Sequence, residues 1–78
     1  MTDEEKSRAA QVILDMPLFN FLMDELEAQA IDACLNANPT DNETRAAYAS
    51  EARAIRNLRS KLNFLAEEAK APGVRARV

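Results

Sequence analysis

Three groups of residues carry side chains that could do chemistry. Asp24 and Glu27 stand three apart, a spacing that brings two carboxylates to one face of a helix, where such a pair can do acid–base work. Cys34 is a single thiol. Arg45, Arg53, Arg56, Arg59 and Lys61 place five cations within seventeen residues, and Arg75 and Arg77 add two near the end. Clustered cations of that kind bind phosphate backbones.

Catalysis lacks its usual parts. The 78 residues contain no histidine, one cysteine and one glycine. Without histidine, no serine or cysteine has an imidazole base to activate it. One cysteine and no histidine make a tetrahedral zinc site improbable. A lone glycine cannot build a phosphate-cradling loop. Asp24 and Glu27 read as part of a solvated acidic face, and a pair of helices this small has little room for a substrate pocket. The expectation is a protein that is not an enzyme and uses no cofactor or metal. Cys34 reads as a small core residue. An intersubunit thiol contact is the sharper alternative.

The elements that position these groups follow from charge and periodicity. Residues 1–44 carry ten acidic and two basic side chains, a balance of −8, whereas residues 45–78 carry three acidic and eight basic ones, a balance of +5. The division falls at Asn38-Pro39-Thr40-Asp41-Asn42, the clearest turn in the chain. Abundant alanine and few β-branched residues favour helix. Thr2 with Glu5 forms a capping box for a helix over about 3–14. Asp15-Met16-Pro17 breaks it: the residue before proline leaves the α region, proline suits the first turn of a new helix, and Asp15 can cap that turn.

A second helix spans about 17–36. Its stripe is Phe19, Leu22, Met23, Leu26, Ala30, Ala33 and Cys34, with Leu18, Phe21, Ile31 and Leu35 beside or off it, so its apolar face is wider than one partner helix needs. Thr40 with Glu43 reads as the cap of a third helix over about 41–69. The core stripe there is Tyr48, Ala52, Ile55, Leu58, Leu62, Leu65 and Ala69. Ala71-Pro72-Gly73 ends that helix and leaves a short basic tail. The predicted fold is all-α: an antiparallel helical hairpin of two long helices with a short N-terminal helix packed across one end. Residues 1–70 form the single domain and 71–78 the tail. In that hairpin Phe19 lies against the region of Leu58 to Leu62. Phe21 and Phe64 need cover from the first helix or from a second subunit.

The basic residues have two readings. At one helical turn per 3.6 residues, Arg45, Arg56 and Arg59 share roughly one side, with Arg53 nearer the opposite flank. A nucleic-acid surface would use them with Arg75 and Arg77. The net charge of −3 and the neighbouring acidic helix favour pairing with Asp24, Glu25, Glu27 and Asp32 instead, which would set register as flanking charges do in helical assemblies. A chain this short buries only about 60–65% of its unfolded surface, so self-association is a natural source of stability. A homo-oligomer is expected.

Val12-Ile13-Leu14-Asp15-Met16-Pro17-Leu18-Phe19, followed by Leu26-Glu27, Ile31, Asp41, Arg45 and Glu51-Ala52-Arg53-Ala54-Ile55-Arg56-Asn57-Leu58, resembles a group of small all-helical proteins encoded by tailed bacteriophages near head and packaging genes. The resemblance covers about residues 9–65. Members often carry Trp or Tyr near the end of the second helix, where this chain has Ala33-Cys34-Leu35. It implies a virion-assembly, adaptor or structural accessory role with other phage structural proteins as partners. It supplies no catalytic residues. A nucleic-acid-binding accessory protein and an inhibitor of a host protein are the alternatives. No apolar run approaches the ~20 residues that span a bilayer, and the acidic Met1-Thr2-Asp3-Glu4-Glu5 is unlike a signal peptide. A host-cytoplasmic or virion location with no membrane partner is therefore expected. The candidate interaction surface comprises Phe21, Ile31, Phe64, Arg45, Arg56, Arg59, Arg75 and Arg77.

Overall fold

A computed structural model describes residues 1–70; the expected basic tail, with Arg75 and Arg77, lies outside them. The described residues form three helices and no strand: α1 over Asp3–Leu14, α2 over Pro17–Asn36 and α3 over Asn42–Lys70. The Thr2 amide donates to Glu5 Oε1 at 3.0 Å, and the Glu5 amide donates to Thr2 Oγ1 at 3.1 Å. This reciprocal cap satisfies two amides that the helix end would leave open. The Thr2 backbone bond, then its side-chain bond, holds the Glu5 carboxyl below its usual range.

The break between α1 and α2 is a full stop and restart, with Pro17 in the first turn of α2. Asp15 does not cap α2. Its backbone is still right-handed helical at the end of α1, and its Oδ1 accepts from Gln11 Nε2 at 2.9 Å. Asp15 therefore faces back along α1, and Met16 precedes α2 without a side-chain cap. Asn20 holds the joint: its Nδ2 donates to the Leu14 carbonyl at 2.7 Å and to the Met16 carbonyl at 3.1 Å.

The second turn also differs from expectation. Asp41, not Thr40, caps α3. Asp41 Oδ1 accepts from the Thr44 amide at 3.1 Å and Oδ2 from the Thr44 hydroxyl at 2.7 Å, while the Asp41 carbonyl accepts from the Arg45 amide at 3.2 Å. Thr40 is spent on the turn, where its amide and hydroxyl both donate to Asn38 Oδ1 at 2.9 and 2.8 Å. A carboxylate offers two acceptors, so it takes both groups of Thr44 where a hydroxyl could serve one. The Thr44 side chain, then its amide, lowers the Asp41 pKa.

α3 packs against both α1 and α2, which barely meet each other. The short N-terminal helix thus packs on α3, with Ala10, Ile13 and Leu14 grouped with Leu62, Leu65 and Ala66 toward the end of that helix. The buried residues among those described are Ser7, Ala10, Ala30, Ala52, Leu62 and Ala66, so Leu62 is the sole large side chain in that set. Small residues let helix axes approach toward the lower end of the usual ~8–10 Å spacing. Ile13, Leu14, Phe19 and Leu65 pack around Ala10, Leu62 and Ala66, which places Phe19 by Leu62 as its spacing predicts.

The two long stripes are only partly buried. Leu22, Leu26, Tyr48 and Leu58 remain exposed, and the Ala69 side chain lies outside the described residues. Ala66, absent from the predicted stripe, is buried. The reason is that α3 changes partner along its length, so its contact face shifts from that of one continuous stripe.

Leu62→Ala should cost about 2–4 kcal/mol in urea unfolding followed by circular dichroism. Leu58→Ala, at a half-exposed position, should cost under about 1 kcal/mol. Asp41→Ala should lower the melting temperature more than Thr40→Ala does. Because the folded pKa values of Glu5 and Asp41 are depressed, their contribution is present above the ordinary carboxylate range and is lost as pH falls below about 4. Acid titration of helicity should show Asp41→Asn to be less sensitive in that window than the parent chain.

Candidate interaction surface

Near the 37–41 turn, α2 and α3 diverge around a shallow groove of about 250 Å3, lined by Ile31, Cys34, Leu35, Ala49, Ala52, Arg53 and Arg56. A second hollow of about 190 Å3 continues it past Cys34 and Leu35 to Ala37, Pro39 and Arg45. The floor is aliphatic and the margin is cationic. Alanines at 49 and 52 create the space, since neither fills what a larger side chain would. Cys34 is half-buried and reduced. Its thiol donates to the Arg45 carbonyl at 3.4 Å, so it is spent on the fold in the way a small core residue is.

The arginines have distinct employments. Arg45 Nη1 donates to the Pro39 carbonyl at 2.9 Å and to Asn42 Oδ1 at 3.4 Å, which braces the turn. Arg56 Nε bonds Glu27 Oε2 at 3.0 Å. Arg59 Nη1 bonds Asp24 Oδ1 at 2.6 Å and lies 4.0 Å from Glu27 Oε1. Glu27 thus sits between two guanidinium groups, and the three-residue carboxylate pair is engaged in an ion-pair network across the helices. Glu25 accepts from Gln29 within α2 instead, at 3.3 Å. Asp32 makes no ion pair among the described residues. Arg53 does not lie on the opposite flank. It lines the groove with Arg56, because three residues along a helix turn the side chain by only about 60°. Among the described residues Arg53 also makes no ion pair or hydrogen bond.

The candidate apolar residues divide. Ile31 is half-buried in the groove wall, while Phe21 and Phe64 keep 61% and 54% of their surface. Both rings thus keep more than half of their surface open to solvent within the chain. The structure brings Ile31, Arg45 and Arg56 to one region. Phe21, Arg59 and Phe64 do not line the groove. Leu35, which the sequence left beside the main stripe, is 76% exposed at the groove edge. Its signal is the turn that follows it: α2 ends at Asn36, so no further helical turn remains to cover it. Leu18 and Val12 are exposed as well.

None of these features amounts to an enclosed substrate site. Among the described residues no helix is long and apolar enough to cross a membrane. No family model, curated protein or solved structure matches this chain.

Glu27 is the hub of the network and less exposed than Asp24. Glu27→Gln should therefore destabilise the chain more than Asp24→Asn, by roughly 1 kcal/mol against a few tenths. A double-mutant cycle with Arg56→Gln, read by urea unfolding, checks the assignment.

Proposed function

We propose that this chain is a non-enzymatic helical interaction protein. Its α2 and α3 act as an antiparallel hairpin braced by α1, and it works as a homo-oligomer through helix–helix contacts. The observation that carries the reading is the inversion of its side-chain sizes. Small residues fill the intramolecular seams, while Leu18, Phe21, Leu35, Leu58 and Phe64 remain exposed. Isolated exposed leucines are ordinary, but so many large apolar groups on two helices mark a contact surface. The apolar residues of α2 also spread around the helix, the distribution of a helix covered on more than one side.

The resemblance to small tailed-phage proteins gives this activity its context: virion assembly, as an adaptor or structural accessory component, in the host cytoplasm or the virion. Nucleic-acid binding draws less support, because Arg45, Arg56 and Arg59 are already engaged with carbonyl and carboxylate groups. An inhibitor docking through the acidic face of α2 would need the same exposed surface and differs only in its partner.

Light scattering coupled to size-exclusion chromatography, at micromolar chain concentration, tests the reading. The expected result is a species of at least twice the 8.7 kDa chain mass. A monomer with a cooperative melt would overturn it.

A further inference from the structure

The groove face supplies a more specific arrangement for such an oligomer, resting on the reading above. Ile31 and Leu35 of α2 line the groove together with Ala49, Ala52, Arg53 and Arg56 of α3. At about 100° per residue, Phe21, Ala28, Ile31 and Leu35 fall within about 80° of one another. One face of the α2–α3 pair therefore presents on α2 a largely apolar row, interrupted by Asp24, which Arg59 already pairs, beside an alanine-lined, cationic row on α3. Asp32 lies on the outer margin of the first row, and Arg53 on the outer margin of the second. Both are exposed.

Two such faces can meet about a twofold axis in two ways. An axis across the helices stacks α2 on α2. An axis along the helices stacks each α2 on the partner's α3. Charge decides between them. The charged residues of α2 are Asp24, Glu25, Glu27 and Asp32, all negative, whereas residues 45–61 carry Arg45, Arg53, Arg56, Arg59 and Lys61 against Glu51 alone. The first arrangement opposes like charges and the second opposite ones.

Register follows from the cross-helix pairs. Cys34 meets Arg45 and Glu27 meets Arg56, so Asp32 stands at the level of residues 48–51. An axis along the helices preserves that level in the second copy. Arg53 then lies two to five residues, about 3–7.5 Å along the helix axis, from the level of the opposing Asp32, a distance that an arginine side chain spans.

We propose that a second copy of this chain occupies the groove face in a twofold pairing. The α2 helix of each copy lies over α3 of the other, Leu35 packs above the alanine floor, and Arg53 pairs with Asp32 across both margins. Twofold symmetry makes the contact self-complementary, so each substitution acts twice. The arrangement gives both residues an ion-pair partner that neither has among the described residues.

Sedimentation velocity over a concentration series tests the pairing on the full chain, with circular dichroism to confirm the fold of each variant. Asp32→Arg and Arg53→Asp should each weaken dimerisation by on the order of tenfold or more, and the double variant should recover most of the loss. Leu35→Ser should weaken it while leaving the helical signal unchanged, since Leu35 is largely exposed within one chain. A dimer indifferent to the single reversals, or one that the double variant fails to restore, overturns the pairing and leaves self-association standing. A closed trimer overturns it too. A parent chain that remains monomeric removes both the pairing and the oligomeric reading.

Discussion

Close approach across small side chains is the constraint on which the rest of this structure depends. Ala10, Ala30, Ala52 and Ala66, with Ser7, occupy the seams between α3 and its two partners. A seam built of alanine has little volume to bury, so it stabilises through proximity rather than bulk. Larger apolar groups are displaced to the flanks, where Leu22, Leu26 and Leu58 stay partly wet. The chain thereby obtains a defined helix arrangement while leaving much apolar surface without intramolecular cover.

Polar groups set directions that such seams cannot. The Arg56–Glu27 and Arg59–Asp24 contacts join residues 29 and 35 positions apart, and with Cys34 on Arg45 they fix how α2 runs against α3. Each exposed pair is worth little in free energy. Their arrangement matters more, because a one-turn slip would separate several partners at once. The turn is fastened similarly by Asn38, Asp41 and Arg45, each bonding within six residues. Of the charges divided between the two halves, Arg56 and Arg59 are matched with Glu27 and Asp24 across the helices. Arg53 and Asp32 are among those that make no ion pair within the described residues.

Much of this was legible from the residues. The first capping box, the break at Pro17 and the extents of all three helices follow local chemistry, because caps and prolines act over one turn. Placing Phe19 near Leu62 required only antiparallel counting from the turn. Less legible was which turn residue would cap α3, since Thr40 and Asp41 are both competent and the choice depends on Asn38 claiming Thr40. Asn20 gave no signal, because its bonds reach a carbonyl six residues back across the break. The stripes were misjudged for a related reason. Ala30, Ala52 and Leu62 of the expected stripes are buried, whereas Leu22, Leu26 and Leu58 are left partly open, because the helices meet mainly where the residues are small. Ile31 and Arg56, expected as interaction residues, line the groove, while Arg53 and Leu35 emerge there only once the turn and the helix faces are in place.

The near absence of contact between α1 and α2 has a kinetic meaning. Their common support among the described residues is α3 and the Asn20-bridged joint, so the α1–α3 contact can in principle open without breaking the α2–α3 contact. Such an opening would uncover Ala10, Leu62 and Ala66, which form one buried cluster. The chain would thereby hold in reserve an apolar patch that exists only for the lifetime of that opening.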